Sequence, residues 1–153
     1  MAWRHSDAPI NQVKRWAKSV EGCLIYYLMK SQHEQTEGGA TPIDYSSALR
    51  WVEGDRALLA ELTEIFVQDC PLRMKELEVS ILRDDADLIK RAAHSLKGMV
   101  SGFGAHEAWA LAQEMEDLGR NGRVPEAGNL LPLVMREFTQ VIEYLKRADW
   151  QTL

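Results

Sequence analysis

From Pro42 onward, apolar residues recur at three- and four-residue spacing, nowhere in strict alternation, and β-branched residues never cluster. That period belongs to an amphipathic helix and not to a half-buried strand, so the chain is restricted to an all-α fold. Asp44 can cap a short helix running to about Glu53. Gly54-Asp55 then ends one helix and caps the next. The second carries Leu58, Leu59, Leu62, Ile65, Phe66, Cys70, Met74, Leu77 and Ile81, and Pro71 should kink it near Val67.

Asp84-Asp85 offers another cap, for a helix apolar at Leu88, Ile89, Ala92, Ala93, Leu96, Met99, Val100 and Phe103 and ended by Gly102 and Gly104. A fourth helix runs from about His106 to Arg120. The last begins near Pro125, or at Pro132 with Asn129 as its cap, and frays after Ala148. Long helices on short connections predict an up-and-down four-helix bundle over 43–150. In front of it, 31–42 is polar, holds Gly38-Gly39 and reads as a linker. Residues 1–30 form an arm with one more amphipathic helix at 10–30, expected to pack on the bundle, to pair with a second copy as a homodimer, or to cover a neighbour outside this sequence.

Composition narrows the function. A net charge of −5, from 18 basic and 23 acidic residues, argues against nucleic acid as a partner. The longest apolar run, 23–29, is far short of the roughly 20 residues that cross a bilayer. Neither it nor its flanks form a secretory signal, so no membrane partner and a cytoplasmic location are expected. Cys23 and Cys70 fit no disulfide framework or zinc site and read as reduced thiols. No Glu-x-x-His pair exists for a carboxylate-bridged metal centre, so no metal site is expected.

With 4 histidines, each can be weighed singly. On a helical wheel, Ile89, Ala92, Ala93, Leu96, Met99, Val100 and Phe103 share one arc. His94 falls nearly opposite, beside Lys90, Arg91, Lys97, Gly98 and Ser101. An exposed imidazole flanked by three cations suits an anion, above all a phosphoryl group. Gly98 costs about 1 kcal/mol relative to Ala inside a helix, and close approach of another protein to His94 would account for it. His106 reads as a surface or capping residue, and His5 and His33 belong to no constellation. Glu114, Glu116 and Asp117 read as a solvated face, Trp51, Trp109 and Phe103 as core, and Met99 and Leu96 as borders of the His94 face.

The run Ala93-His94-Ser95-Leu96-Lys97-Gly98, followed by Phe103-Gly104-Ala105, resembles the signature of histidine-containing phosphotransfer (HPt) domains. Ile43-Asp44, Gly54-Asp55, the long helix with Pro71 and the 115–122 stretch resemble the layout of that family over roughly 41–148. Ser101, where the family often has glycine, is a mild departure. The resemblance implies a phosphorelay intermediate in which His94 accepts a phosphoryl group from a receiver-domain aspartate and passes it to another receiver. It implies that Lys97 lies beside the phosphoryl oxygens and that Gly98 admits the receiver, with Ser101, Lys90 and Arg91 completing the docking surface. Response-regulator receivers and a hybrid sensor histidine kinase are the implied partners. With no Gly-rich phosphate loop, the chain is expected to be a phosphocarrier and not an enzyme with its own ATP site, any Mg²⁺ coming from the receiver. The rivals are a phosphoacceptor fed directly by a chemotaxis-type kinase and an adaptor bundle that binds receivers without transfer.

Overall fold

The computed structural model describes residues 41–150; the arm helix and most of the expected linker lie outside the described residues. Five helices follow one another: α1 (Tyr45–Trp51), α2 (Arg56–Leu82), α3 (Ala86–Ser101), α4 (His106–Arg120) and α5 (Val124–Arg147). No strand occurs among the described residues.

The three aspartate caps form as the sequence indicates. Asp44, Asp55 and Asp85 each hold extended backbone and accept from the amide three residues on, Ser47, Leu58 and Leu88, at 3.2, 3.0 and 3.0 Å. Each satisfies one amide that a helix start would leave bare. Pro71 does not end α2, which continues through it to Leu82. Of the two starts open for the last helix, the earlier one is correct. The helix begins at Val124 with Pro125 in its first turn, and Pro132 lies inside it, so Asn129 caps nothing.

The four long helices close a ring in which α2 packs on α3 and α5, and α4 packs on the same two. Their inward faces bury Leu59, Phe66 and Leu77 from α2, Ile89, Leu96 and Val100 from α3, Met115 from α4 and Val134, Phe138 and Val141 from α5. Short α1 lies across one end, where the Trp51 ring meets Phe103 edge-on at 5.7 Å and Phe103 meets Phe66 at 5.2 Å. Gly104 makes this junction. Its φ is +65°, its carbonyl accepts from the Asp44 amide at 3.2 Å, and a Cβ there would stand 2.9 Å from that of Asp44. Gly102 next to it leaves room for the Trp51 ring, which lies where a Cβ would stand. Cys70 is a buried free thiol whose pKa burial pushes up to about 12, so it takes no part in thiolate chemistry.

Two sequence assignments change. Trp51 and Trp109 are not core residues, being 50% and 41% exposed. Leu96 does not border the surface but is fully buried, which leaves half-buried Met99 at that edge.

Candidate functional site

His94 stands midway along α3 with its side chain 69% exposed, as its position opposite the apolar arc requires. What the wheel of one helix cannot supply is the neighbour. Across the α3–α4 seam, Glu116 Oε1 lies 3.4 Å from His94 Nδ1. The Glu116 side chain is 7% exposed, which overturns its reading as part of a solvated face. It lies near the bundle surface rather than deep in the core, covered by the side chains that bind it.

A carboxylate so covered is costly unless paired. Lys97 Nζ lies 2.6 Å from Glu116 Oε2, and Arg120 Nη2 lies 2.9 Å from Oε1, the same oxygen that faces the histidine. Lys97 also donates to Gln113 Oε1 at 2.9 Å, and Gln113 Nε2 donates to Asp117 Oδ2 at 3.1 Å. Arg120 Nη1 completes the circuit to Asp117 Oδ1 at 2.6 Å. Every charged member is thus held by another, and the network joins two turns of α4 to the His94 turn of α3. The Lys97 ammonium against the carboxylate, and after it the His94 contact, holds the Glu116 pKa below the usual carboxylate range in spite of the opposing effect of burial.

A carboxyl group with a depressed folded-state pKa contributes stability above its unfolded value, and that contribution is lost as pH falls through the folded one. Wild-type protein melted between about pH 7 and about pH 3 is therefore expected to lose stability over the acid end of this window. Glu116→Gln, which cannot titrate, should lose less over the same window. Equal acid slopes in the two proteins would contradict the pairing.

The other residues singled out in the sequence divide into committed and open groups. Lys97 is not a free cation, because its side chain is only 18% exposed and already engaged. It also lies 5.9 Å from the centroid of the Trp109 ring. The expected trio of available cations is therefore reduced. Lys90 is loosely placed, 4.0 Å from Asp87, and exposed Arg91 has no ion-pair partner among the described residues. Gly98 is open: a Cβ there would meet nothing within 4 Å. Ser101 is exposed and turns its hydroxyl back onto the Gly98 carbonyl at 2.8 Å. Among the described residues, no side chain obstructs the lane from His94 past Gly98 to Ser101 at Gly98. His106 begins α4 and is exposed, whereas His5 and His33 lie outside the described residues.

Sequence reasoning missed Glu116 and Arg120, although a signal for both was present. Ala112, Glu116 and Gly119 stand at i, i+4 and i+7, so the carboxylate falls within the buried stripe of α4, and Arg120 follows it at a pairing distance of four. Gly119 explains why the two helices can meet so closely. A Cβ there would stand 2.6 Å from the Lys90 amide nitrogen and 3.0 Å from the Ala86 carbonyl oxygen, so backbone packs on backbone.

The arrangement presents one nucleophilic ring to solvent, backed by a fixed carboxylate and bordered by cations. Among the described residues, no group of three or more His, Cys, Asp or Glu side chains is placed to hold a metal ion. No helix among them is long and apolar enough to cross a membrane.

Comparison with known proteins agrees with this geometry. The family model of the Hpt domain matches residues 61–148, from the first third of α2 to the end of α5. The crystal structure of histidine-containing phosphotransfer protein B (HptB) from Pseudomonas aeruginosa PAO1 is similar at 27% identity and a TM-score of 0.67, covering 75% of this chain and 99% of that one. No curated protein sequence matches the chain. A family match over more than half the length, on a helical bundle of the same shape, places this chain in the Hpt domain family, whose members carry phosphoryl groups on histidine in phosphorelays.

Proposed function

We propose that His94 is the phosphoryl-accepting residue, that it takes the group from an aspartyl phosphate on a receiver domain, and that it hands it to the aspartate of another receiver. The observation that carries this reading is the ring itself: exposed at mid-α3, with Nδ1 facing the Glu116 carboxylate at 3.4 Å and an open lane beside it at Gly98.

The chemistry follows from the contact. A carboxylate can only accept, so the Nδ1 side carries the proton and Nε2 keeps its lone pair, directed at solvent. Nε2 attacks phosphorus, an N–P bond forms, and the O–P bond breaks with its electron pair returning to the receiver aspartate. The ring becomes a cation that retains the Nδ1 proton, and Glu116 stabilises that charge as an orienting carboxylate does for other nucleophile-associated imidazoles. Transfer onward is the reverse step, with neutral imidazole leaving.

The lysine expected at the phosphoryl oxygens is Lys97, and in the resting protein its ammonium rests on Glu116. An arriving phosphoryl group carries close to two negative charges and competes for that ammonium and for Arg120, while Lys90 and Arg91 remain available at the rim. The Mg²⁺ that supports transfer belongs to the receiver, and a hybrid sensor kinase stands upstream.

The test is incubation with receiver domains phosphorylated in advance, followed by mapping of the label. Acid-labile, base-stable phosphate on the peptide containing His94, on its Nε2, is the expected result. Binding to receivers without any transfer would identify an adaptor instead, and labelling only by a kinase catalytic domain would identify a kinase-fed acceptor.

A further inference from the structure

Beyond the phosphoryl-bearing residue, the structure holds a docking feature on the α4 side of the site. At the junction of α3 and α4, an open groove of about 310 Å³ is lined by Val100, Ser101, Gly104, Ala105, His106 and Trp109. One wall is the Trp109 indole, 41% exposed. The same ring lies beside the Lys97 ammonium, so the groove adjoins the charged network of the site.

His94, Gly98 and Ser101 stand on one line of α3 at i, i+4 and i+7, and this line leads from the acceptor ring into the groove. At about 1.5 Å per residue, Ser101 lies roughly 10 Å along the helix axis from His94. A specific protein contact buries about 800 Å² on each partner, a patch roughly 16 Å in radius. Any protein that brings an aspartyl phosphate to bonding distance of His94, with the histidine near the middle of its footprint, therefore also covers the groove. Half-exposed tryptophans in such patches are the residue type that most often carries binding energy.

We propose that the Trp109 groove is a docking site for the receiver domain that exchanges phosphoryl with His94, taking an apolar side chain of the receiver against the indole face. The proposal rests on the transfer reading above. It assigns Trp109 to recognition and leaves the chemical step to His94 and its network.

The experiment measures initial rates of transfer to the full chain as a function of concentration, using each phosphorylated receiver domain that labels wild-type protein. Trp109→Ala should raise KM by about tenfold, with the loss in KM rather than in kcat, and Trp109→Phe should recover part of it. Ser101→Trp, which fills the groove from the α3 side at an exposed position, should raise KM likewise and keeps the test available if Trp109→Ala does not fold. An unchanged KM in a folded Trp109→Ala, or a fall in kcat alone through displacement of Lys97, overturns the proposal and leaves the transfer reading intact. A wild-type chain that no receiver labels overturns both.

Discussion

Substituting His94 with Gln is expected to abolish phosphoryl uptake, a loss of more than about 10³-fold, without unfolding the protein. The two halves of this expectation have different causes. Uptake fails because glutamine has no lone pair of comparable nucleophilicity at the position of Nε2. Folding survives because the ring is 69% exposed and its polar contact among the described residues is to Glu116, which keeps Lys97 at 2.6 Å and Arg120 at 2.9 Å. A surface substitution of this kind shifts stability by about 0.5 kcal/mol or less. The measurement pairs a transfer assay with a thermal melt. A His94→Gln protein that still takes label would refute the assignment, and one that fails to fold would show that the histidine supports the bundle.

The second large effect concerns a glycine remote from the reacting atoms. Gly119→Ala places a methyl 2.6 Å from the Lys90 amide nitrogen and 3.0 Å from the Ala86 carbonyl oxygen, both backbone atoms of α3 that cannot move without their helix. Overpacking costs about 1–3 kcal/mol, and occasionally more, against roughly 1 kcal/mol gained from the better helix propensity of alanine. Backbone opposed to backbone puts the cost at the upper end, so a net loss of about 2 kcal/mol is expected, or a fall in Tm on the order of 10 °C. Separation of α3 from α4 also carries Glu116 away from His94, so transfer should weaken together with stability. Gly98→Ala is the internal contrast. Nothing lies within 4 Å of a Cβ there. That protein should melt at the same temperature as wild type or higher while transferring poorly, because the methyl obstructs the incoming receiver. A Gly119→Ala protein as stable as wild type would show that the seam is looser than its distances imply.

Much of the architecture could be read without coordinates. The caps at Asp44, Asp55 and Asp85 are legible because a cap is a contact between residues three apart. The outward direction of His94 follows for the same reason, since the apolar residues around it leave one side of α3 uncovered. The sequence offers two starts for α5, since Pro125 and Pro132 each suit a first turn. Packing of Ala127 and Leu130 against the bundle resolves it in favour of the earlier one, since both precede Pro132 and are buried. The exposure of Trp51 and Trp109 departs from the sequence expectation because size and apolarity favour burial on average, while position at the end of a bundle decides the individual case.

What the sequence alone determined, then, is whatever depends on near neighbours along the chain: the helices themselves, their caps, the outward histidine and the HPt signature between Ala93 and Ala105. The tertiary structure decided everything that depends on the apposition of α3 and α4. Glu116 became the partner of His94, Lys97 was committed to it, Arg120 entered the network and Trp109 was left at the rim. The physical reason is one of range. Helical periodicity is written in residues three or four apart, but the meeting of His94 with Glu116 spans 22 positions. It rests on a glycine whose only requirement is the absence of a side chain.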